Sequence, residues 1–236
     1  MTKRKKDRKF VVVTGACGTI GTVLCGSLKN KYCAVLPFDN REDPNLDLSR
    51  RGIGRFTNFC MMADVIVHLA WDSRENWKTD ITVPANWGMV ESVFYGAIGG
   101  SVKRVIMASS IHADNFHGWH GPGLMNPFLE SSPKSPYGQT KVRMEQLGKY
   151  FAEQYKLQVI CLRLGGVTLD NKLRNEPLAE KIWLHTEDCV SLVKACVDAP
   201  EVPGNFCIMY AVSNNTGRIH DISNPFGWVP KHDFAK

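Results

Sequence analysis

The residues with the plainest chemical content are Tyr137 and Lys141, four apart in Ser135-Pro136-Tyr137-Gly138-Gln139-Thr140-Lys141. On a helix that spacing puts both side chains on one face, and Ser-Pro just before them is a helix start. A phenol with a pKa of about 10 is a poor base near neutral pH. An ammonium group one turn away favours the phenolate. Lowering that pKa by about three units corresponds to roughly 4 kcal/mol of differential stabilisation. The positive end of the helix adds to it. The phenolate then serves as general base toward a hydroxyl whose carbon loses hydride. Ser109 and Ser110, in Ala108-Ser109-Ser110-Ile111-His112, follow a strand-like run and can hydrogen-bond the reacting oxygen.

A hydride needs an acceptor, and the N-terminal region offers a seat for one. Thr14-Gly15-Ala16-Cys17-Gly18-Thr19-Ile20-Gly21 follows an apolar strand-like run and opens a helical pattern. Three glycines three apart make a dinucleotide turn. One permits the tight turn, one lets the backbone approach a pyrophosphate, and one packs helix on strand. The free N–H groups of the helix start then meet the phosphates. Asp39 stands eighteen residues after Gly21, at the end of Ala34-Val35-Leu36-Pro37-Phe38. An acid there accepts from the adenosine ribose hydroxyls and repels a 2′-phosphate, so NAD is favoured over NADP. Arg41 close by works against that preference.

These groups need a scaffold. Phe10–Val13, Val65–Val67, Arg104–Met107, Val159–Leu162 and Phe206–Met209 read as strands apolar on both faces, as a helix-covered parallel sheet requires. Between them Ile20, Val23, Leu24 and Leu28, and again Met144, Leu147, Phe151 and Tyr155, keep helical spacing. The alternation predicts an α/β doubly wound parallel sheet, the Rossmann fold. Residues 1–9 are expected to form a basic leader, 10–210 an NAD-binding domain carrying the active site, and 211–236 an irregular C-terminal appendage on the substrate side. The 236 residues are 44% apolar and 22% charged, enough for a full core and unlike a disordered chain. The leader holds five of the six net positive charges, so the nearly neutral body argues against nucleic-acid binding. No apolar run approaches the roughly 18–20 residues of a membrane span. Eight cysteines, at 17, 25, 33, 60, 161, 189, 196 and 207, form no C-x-x-C pair and no zinc spacing. They fit a reducing cytoplasm, and no metal site is expected.

Taken together, Gly15-x-x-Gly18-x-x-Gly21, Asp39, Asp47-Leu48, His68-Leu69-Ala70, Asn86, Ser109-Ser110 and Tyr137/Lys141 resemble the extended short-chain dehydrogenase/reductase superfamily over most of the chain. The resemblance implies a nicotinamide cofactor and a Ser/Tyr/Lys active site, with Ser110 as the serine and Ser109 as its alternative. It implies NAD contacts from Gly15, Cys17, Gly18, Thr19, Ile20, Gly21, Asp39, Asn40, Asp47, Leu48, Leu69, Ala70, Asn86, Tyr137 and Lys141. Within the superfamily the chain looks most like uronate dehydrogenases. The likeness rests on His68-Leu69-Ala70-Trp71-Asp72-Ser73, Ser109-Ser110-Ile111-His112, Trp183-Leu184-His185-Thr186-Glu187-Asp188, Val212-Ser213-Asn214-Asn215-Thr216 and Gly227-Trp228-Val229-Pro230. It implies oxidation of C1 of a uronic acid to an aldarolactone, with Ser73, Ser110, His112 and Arg174 on the sugar.

Three departures touch the sugar side. Ile111 replaces an asparagine of the family pattern, and Gly166 stands where serine is usual. The arginine that a sugar carboxylate calls for is assigned to Arg174, with Arg74 and Arg163 as fallbacks. Sugar-nucleotide epimerase or carbonyl reductase chemistry is the enzymatic alternative, and a non-catalytic dinucleotide scaffold the other. Superfamily members pair through the helix carrying Tyr and Lys, which implies a homo-oligomer. His68 reads as a buried structural histidine, and the loop holding His112, His117 and His120 as a pocket wall or lid.

Overall fold

The computed structural model describes residues 9–236 apart from 30, 33 and 50–52. The expected basic leader falls outside the described residues except for Lys9, whose ammonium donates to the carbonyl of Val197.

Six parallel strands form one sheet: β1 (Phe10–Thr14), β2 (Ala34–Phe38), β3 (Val65–His68), β4 (Arg104–Ser110), β5 (Gln158–Leu164) and β6 (Phe206–Ala211), in spatial order β2-β1-β3-β4-β5-β6. The helices between them are α1 (Thr19–Leu28), α2 (Ile53–Met62), α3 (Pro84–Gly99), α4 (Pro136–Tyr155), α5 (Ala179–Ile182) and α6 (Thr186–Asp198). This is the predicted doubly wound Rossmann arrangement. The chain leaves β1 toward β2 on one side and returns to β3 on the other, so a crevice opens at the carboxyl ends of β1 and β3.

Alternation along β1 shows why its run is continuously apolar. Val11 and Val13 join a core with Leu24 and Leu28 of α1 and Val193 and Cys196 of α6. Val12 faces the other way, into a core with Phe56 and Cys60 of α2, Phe94 of α3, and Met144 and Phe151 of α4. Successive strand residues point to opposite faces, and both faces are covered. Each fully buried valine of this kind contributes about 1.5–3 kcal/mol. The predicted face of α4 is correct for Met144 and Phe151. Tyr155 differs, lying half-exposed in the last turn.

Two polar networks tie elements together. Arg163 of β5 is 1% exposed, and its guanidinium pairs with Glu145 of α4 (2.7 Å) and with Asp114. Ser109 donates to Glu145 (2.5 Å), and Tyr210 of β6 donates to Asp114. Beyond β6 the chain is irregular. It is held by Asp188 of α6, whose carboxylate accepts from the Lys231 and His232 amides and from the Ser213 hydroxyl. The Trp228 indole donates to Ser191 (3.0 Å).

Candidate active site

Two adjoining clefts lie along the carboxyl ends of the strands. The larger, about 690 Å³, is lined by Gly15, Cys17, Gly18, Thr19, Asp39, Asn40, Asp47, Leu48, Leu69 and Ala70, together with Arg41, Trp71 and Ser73. The smaller, about 190 Å³, is lined by Ser109, Ser110, His112, Tyr137, Lys141 and Arg174, with Ile20, Trp77, Gly166 and Glu176. Of the predicted cofactor residues, only Gly21 and Asn86 line neither cleft.

The glycine turn has the shape a dinucleotide needs. Gly15 sits at φ +69°, and a Cβ there would come within 2.6 Å of the Ala70 amide nitrogen. A Cβ on Gly21 would strike the Gly15 carbonyl oxygen at 2.2 Å. Gly21 therefore acts from beneath, keeping α1 close to β1, while Gly18 faces the opening. Among the described residues no side chain caps the start of α1, which leaves its first N–H groups for an anion.

Asp39 is buried at the end of β2. Its carboxylate accepts from the Cys17 amide (3.0 Å), from the Arg41 amide (2.9 Å) and from the Arg41 guanidinium (3.2 Å). Burial pushes its carboxyl up, but the Arg41 and Cys17 hydrogen bonds outweigh that and hold it below the usual range. The ionised acid suits ribose hydroxyls. Arg41 folded over it partly offsets the repulsion that Asp39 alone would exert on a 2′-phosphate.

Asn86 is fully buried on α3. Its amide oxygen accepts from the Asp72 amide (2.6 Å), and its nitrogen donates to the Asp72 carbonyl and to Glu75. It shapes the 72–75 loop, whose Asp72 and Ser73 line the large cleft. Ser73 lies exposed on that same loop, in the wall of the larger cleft.

The inner end of the small cleft holds the reactive group. Ser135 caps α4 by accepting from the Gly138 amide (3.1 Å), and Pro136 is the first helical residue. Gly138 lets the helix reach the 111–113 turn, since a Cβ there would meet the His112 carbonyl oxygen at 2.2 Å. These two features aim Tyr137 at the end of β4. Alternation on β4 separates the two serines: Ser109 is engaged by Glu145, whereas Ser110 accepts from the His112 amide (3.2 Å) and hydrogen-bonds Tyr137. The geometry supports Ser110 over Ser109.

In the chain alone, burial opposes the phenolate expected at Tyr137. Burial pushes its pKa up, and the Ser110 hydrogen bond and the Arg174 charge pull only part of the way back. The Lys141 ammonium donates to the Ala108 carbonyl (2.9 Å) and lies 3.4 Å from the centre of the Trp71 ring but 5.4 Å from the centre of the Tyr137 ring. Burial brings Lys141 itself down to about 7, against the opposing charges of Glu75 and Glu145. The lysine is thus held by the Ala108 carbonyl, with its ammonium over both the Trp71 and the Tyr137 rings.

The sugar-side residues divide. His112 stacks on Trp77 (4.7 Å), and burial brings its pKa down to about 3, so it is neutral. Arg174 reaches the small cleft, with one nitrogen donating to the Val167 carbonyl (2.7 Å). The fallback arginines are engaged elsewhere: Arg74 pairs with Asp72, and Arg163 belongs to the buried network. His68 is buried, with Nδ1 2.7 Å from the Thr14 hydroxyl, and burial brings its pKa down to about 3. Glu176 is a wall residue that the sequence reading missed; only the fold of the 166–178 loop brings it in. No residue of 211–236 lines either cleft. Away from the clefts, His185, Glu187 and His232 bring possible metal-ligand atoms together. There His185 caps α6 by accepting from the Glu187 amide (3.1 Å) and stacks on His232 (3.6 Å).

Comparison with known proteins agrees with this fold. An L-arabinose 1-dehydrogenase (NAD(P)(+)) of Haloferax volcanii is 25% identical, covering 95% of this chain and 97% of its own length. A uronate dehydrogenase of Pseudomonas putida is 25% identical over 94% of this chain and 83% of its own. The crystal structure of uronate dehydrogenase from Agrobacterium tumefaciens superposes with a TM-score of 0.79 at 22% identity, covering 96% of this chain and 86% of that one. The model of the NAD dependent epimerase/dehydratase family matches residues 11–184, and the chain belongs to that family.

Proposed function

We propose that the protein is an NAD-dependent dehydrogenase that oxidises a sugar hydroxyl, with C1 of a uronic acid as the site and an aldarolactone as the product. The observation that carries this reading is the meeting of Tyr137, Ser110 and Arg174 in one small cleft that opens onto the glycine turn. Bound NAD supplies the hydride acceptor. Gly15, Gly18 and the start of α1 would hold its pyrophosphate, Asp39 its adenosine ribose, and Lys141 its nicotinamide ribose. Tyr137 Oη would receive the hydroxyl proton as its phenolate, which the Arg174 charge and the cationic nicotinamide would favour against burial. Ser110 Oγ hydrogen-bonds the same oxygen and fixes the ring so that the C1 hydrogen faces the larger cleft. Arg174 takes the sugar carboxylate in a charge-assisted pair, while neutral His112 and Ser73 bind hydroxyls. A cleft of about 190 Å³ suits one sugar ring better than a sugar nucleotide.

NADH release with D-galacturonate or D-glucuronate tests the reading; retained, non-exchanging NAD would favour an epimerase instead. Tyr137→Phe should lower turnover by about 10²–10⁴-fold with NAD affinity unchanged. Normal turnover in that variant would remove the role. We also propose a homo-oligomer formed through α3 and α4, whose outer faces expose Tyr95, Tyr150 and Tyr155. Sedimentation velocity as a monomer at micromolar concentration would refute it.

A further inference from the structure

We propose that Glu176 is a specificity-determining residue of the sugar cleft, holding down its affinity for carboxylated sugars and admitting neutral ones. This deepens the dehydrogenase reading and rests on it. Glu176 lines the small cleft together with Arg174, and a backbone turn holds the two residues close, the Glu176 amide donating to the Arg174 carbonyl (2.9 Å). Both settle against Gly166. A Cβ on Gly166 would lie 3.2 Å from Glu176 Oε1 and 3.8 Å from Arg174 Cδ. The bare backbone at 166 is therefore the seat of the carboxylate. Among the described residues no donor bonds that carboxylate, whereas one Arg174 nitrogen is already taken by the Val167 carbonyl.

An arginine alone would give a sugar carboxylate a charge-assisted, two-point contact. With Glu176 beside it, part of the Arg174 charge is already balanced, and a second carboxylate meets a like charge in a partly desolvated cleft. A neutral sugar meets the opposite situation. A carboxylate accepts and cannot donate, so it matches sugar hydroxyls, which can donate to it. The C6 position separates the two cases. A C6 hydroxyl can donate to Glu176, and a C6 carboxylate is repelled by it.

D-Galacturonate and D-galactose differ only there, so the test is the ratio of their kcat/KM values with NAD. Glu176→Gln should shift the ratio toward galacturonate by about two- to fivefold, the scale of a partly solvated charge pair. The shift should come mainly through KM. Gly166→Ser, which pushes the Glu176 carboxylate a few tenths of an ångström off its seat, should shift the ratio the same way, by less. Arg174→Ala should shift it oppositely. A ratio unchanged in active Glu176→Gln protein, or a shift carried by kcat alone, overturns the proposal and leaves the dehydrogenase reading standing. Failure of the unaltered protein to oxidise either sugar, and of its NADH complex to bind either by calorimetry, overturns both.

Discussion

At the scale of single residues, the decisive quantity is the cost of keeping Lys141 charged where it is buried. Its pKa is brought down to about 7 from the ordinary lysine value. The unfolded chain therefore holds the proton between about pH 7 and pH 10 while the nucleotide-free folded chain loses it. Where the unfolded state binds more protons, stability rises with pH. The stability of the protein relative to Lys141→Met should accordingly increase above pH 7, by at most about 1.4 kcal/mol per pH unit. Below pH 7 the difference should be flat. Taking the difference between the two proteins removes the buried thiols at Cys60, Cys189 and Cys207, which burial pushes up to about 12, 12 and 11. Urea titrations from pH 6 to 9 measure it, and a difference independent of pH would mean that Lys141 stays charged throughout. The same cost bears on catalysis. A lysine hydrogen-bonded to the Ala108 carbonyl does not by itself make Tyr137 acidic, and the phenol is coupled instead to Ser110 and Arg174.

At the scale of elements, the sequence was legible wherever a local pattern decides the structure. Phe10–Val13 and Val159–Leu162 read as strands covered on both faces, and Ser135-Pro136 marked the start of α4 to the residue. Gly15 and Gly21 followed from the turn they make. What stayed hidden depends on chain segments that meet only in the fold. Arg163 read as a possible substrate arginine because its partners Glu145 and Asp114 are 18 and 49 residues away. Asn86 binds Asp72 and Glu75 through its amide, a contact that nothing local in the sequence shows. Glu176 was missed because its role depends on the empty space at Gly166. The Arg163 network also carries a prediction. Glu145→Ala leaves a buried guanidinium with one carboxylate instead of two and frees Ser109, so it should cost about 3–5 kcal/mol. Tyr137→Phe removes one hydroxyl hydrogen bond and should cost about 0.5–1.5 kcal/mol. Denaturant midpoints of the two variants give the comparison, and similar losses would show that α4 is not pinned to β5 through this network.

At the scale of the whole molecule, the question is what the chain beyond β6 contributes. It packs against α6 and against the turn at Phe116, where His220 meets the Phe116 ring (5.5 Å), and it lends no side chain to either cleft. Its main anchor is Asp188. Burial pushes this carboxyl up, but the Lys231 and His232 amides and the Ser213 hydroxyl outweigh that and hold it below the usual range. A carboxylate with a depressed pKa contributes stability above its unfolded value, and that contribution is lost as the pH falls through its folded value. Anchoring of residues 228–234 should therefore weaken in acid before the sheet opens. Asp188→Ala removes the anchor at neutral pH. It should raise hydrogen exchange over residues 228–234 and cost about 1–3 kcal/mol, the scale of stranding buried donors. Meanwhile kcat and KM for the sugar should stay as they were, because every side chain assigned to the reaction lies between residues 15 and 176. A rise in sugar KM with unchanged NAD affinity would instead show that the C-terminal segment reaches over the small cleft when substrate binds.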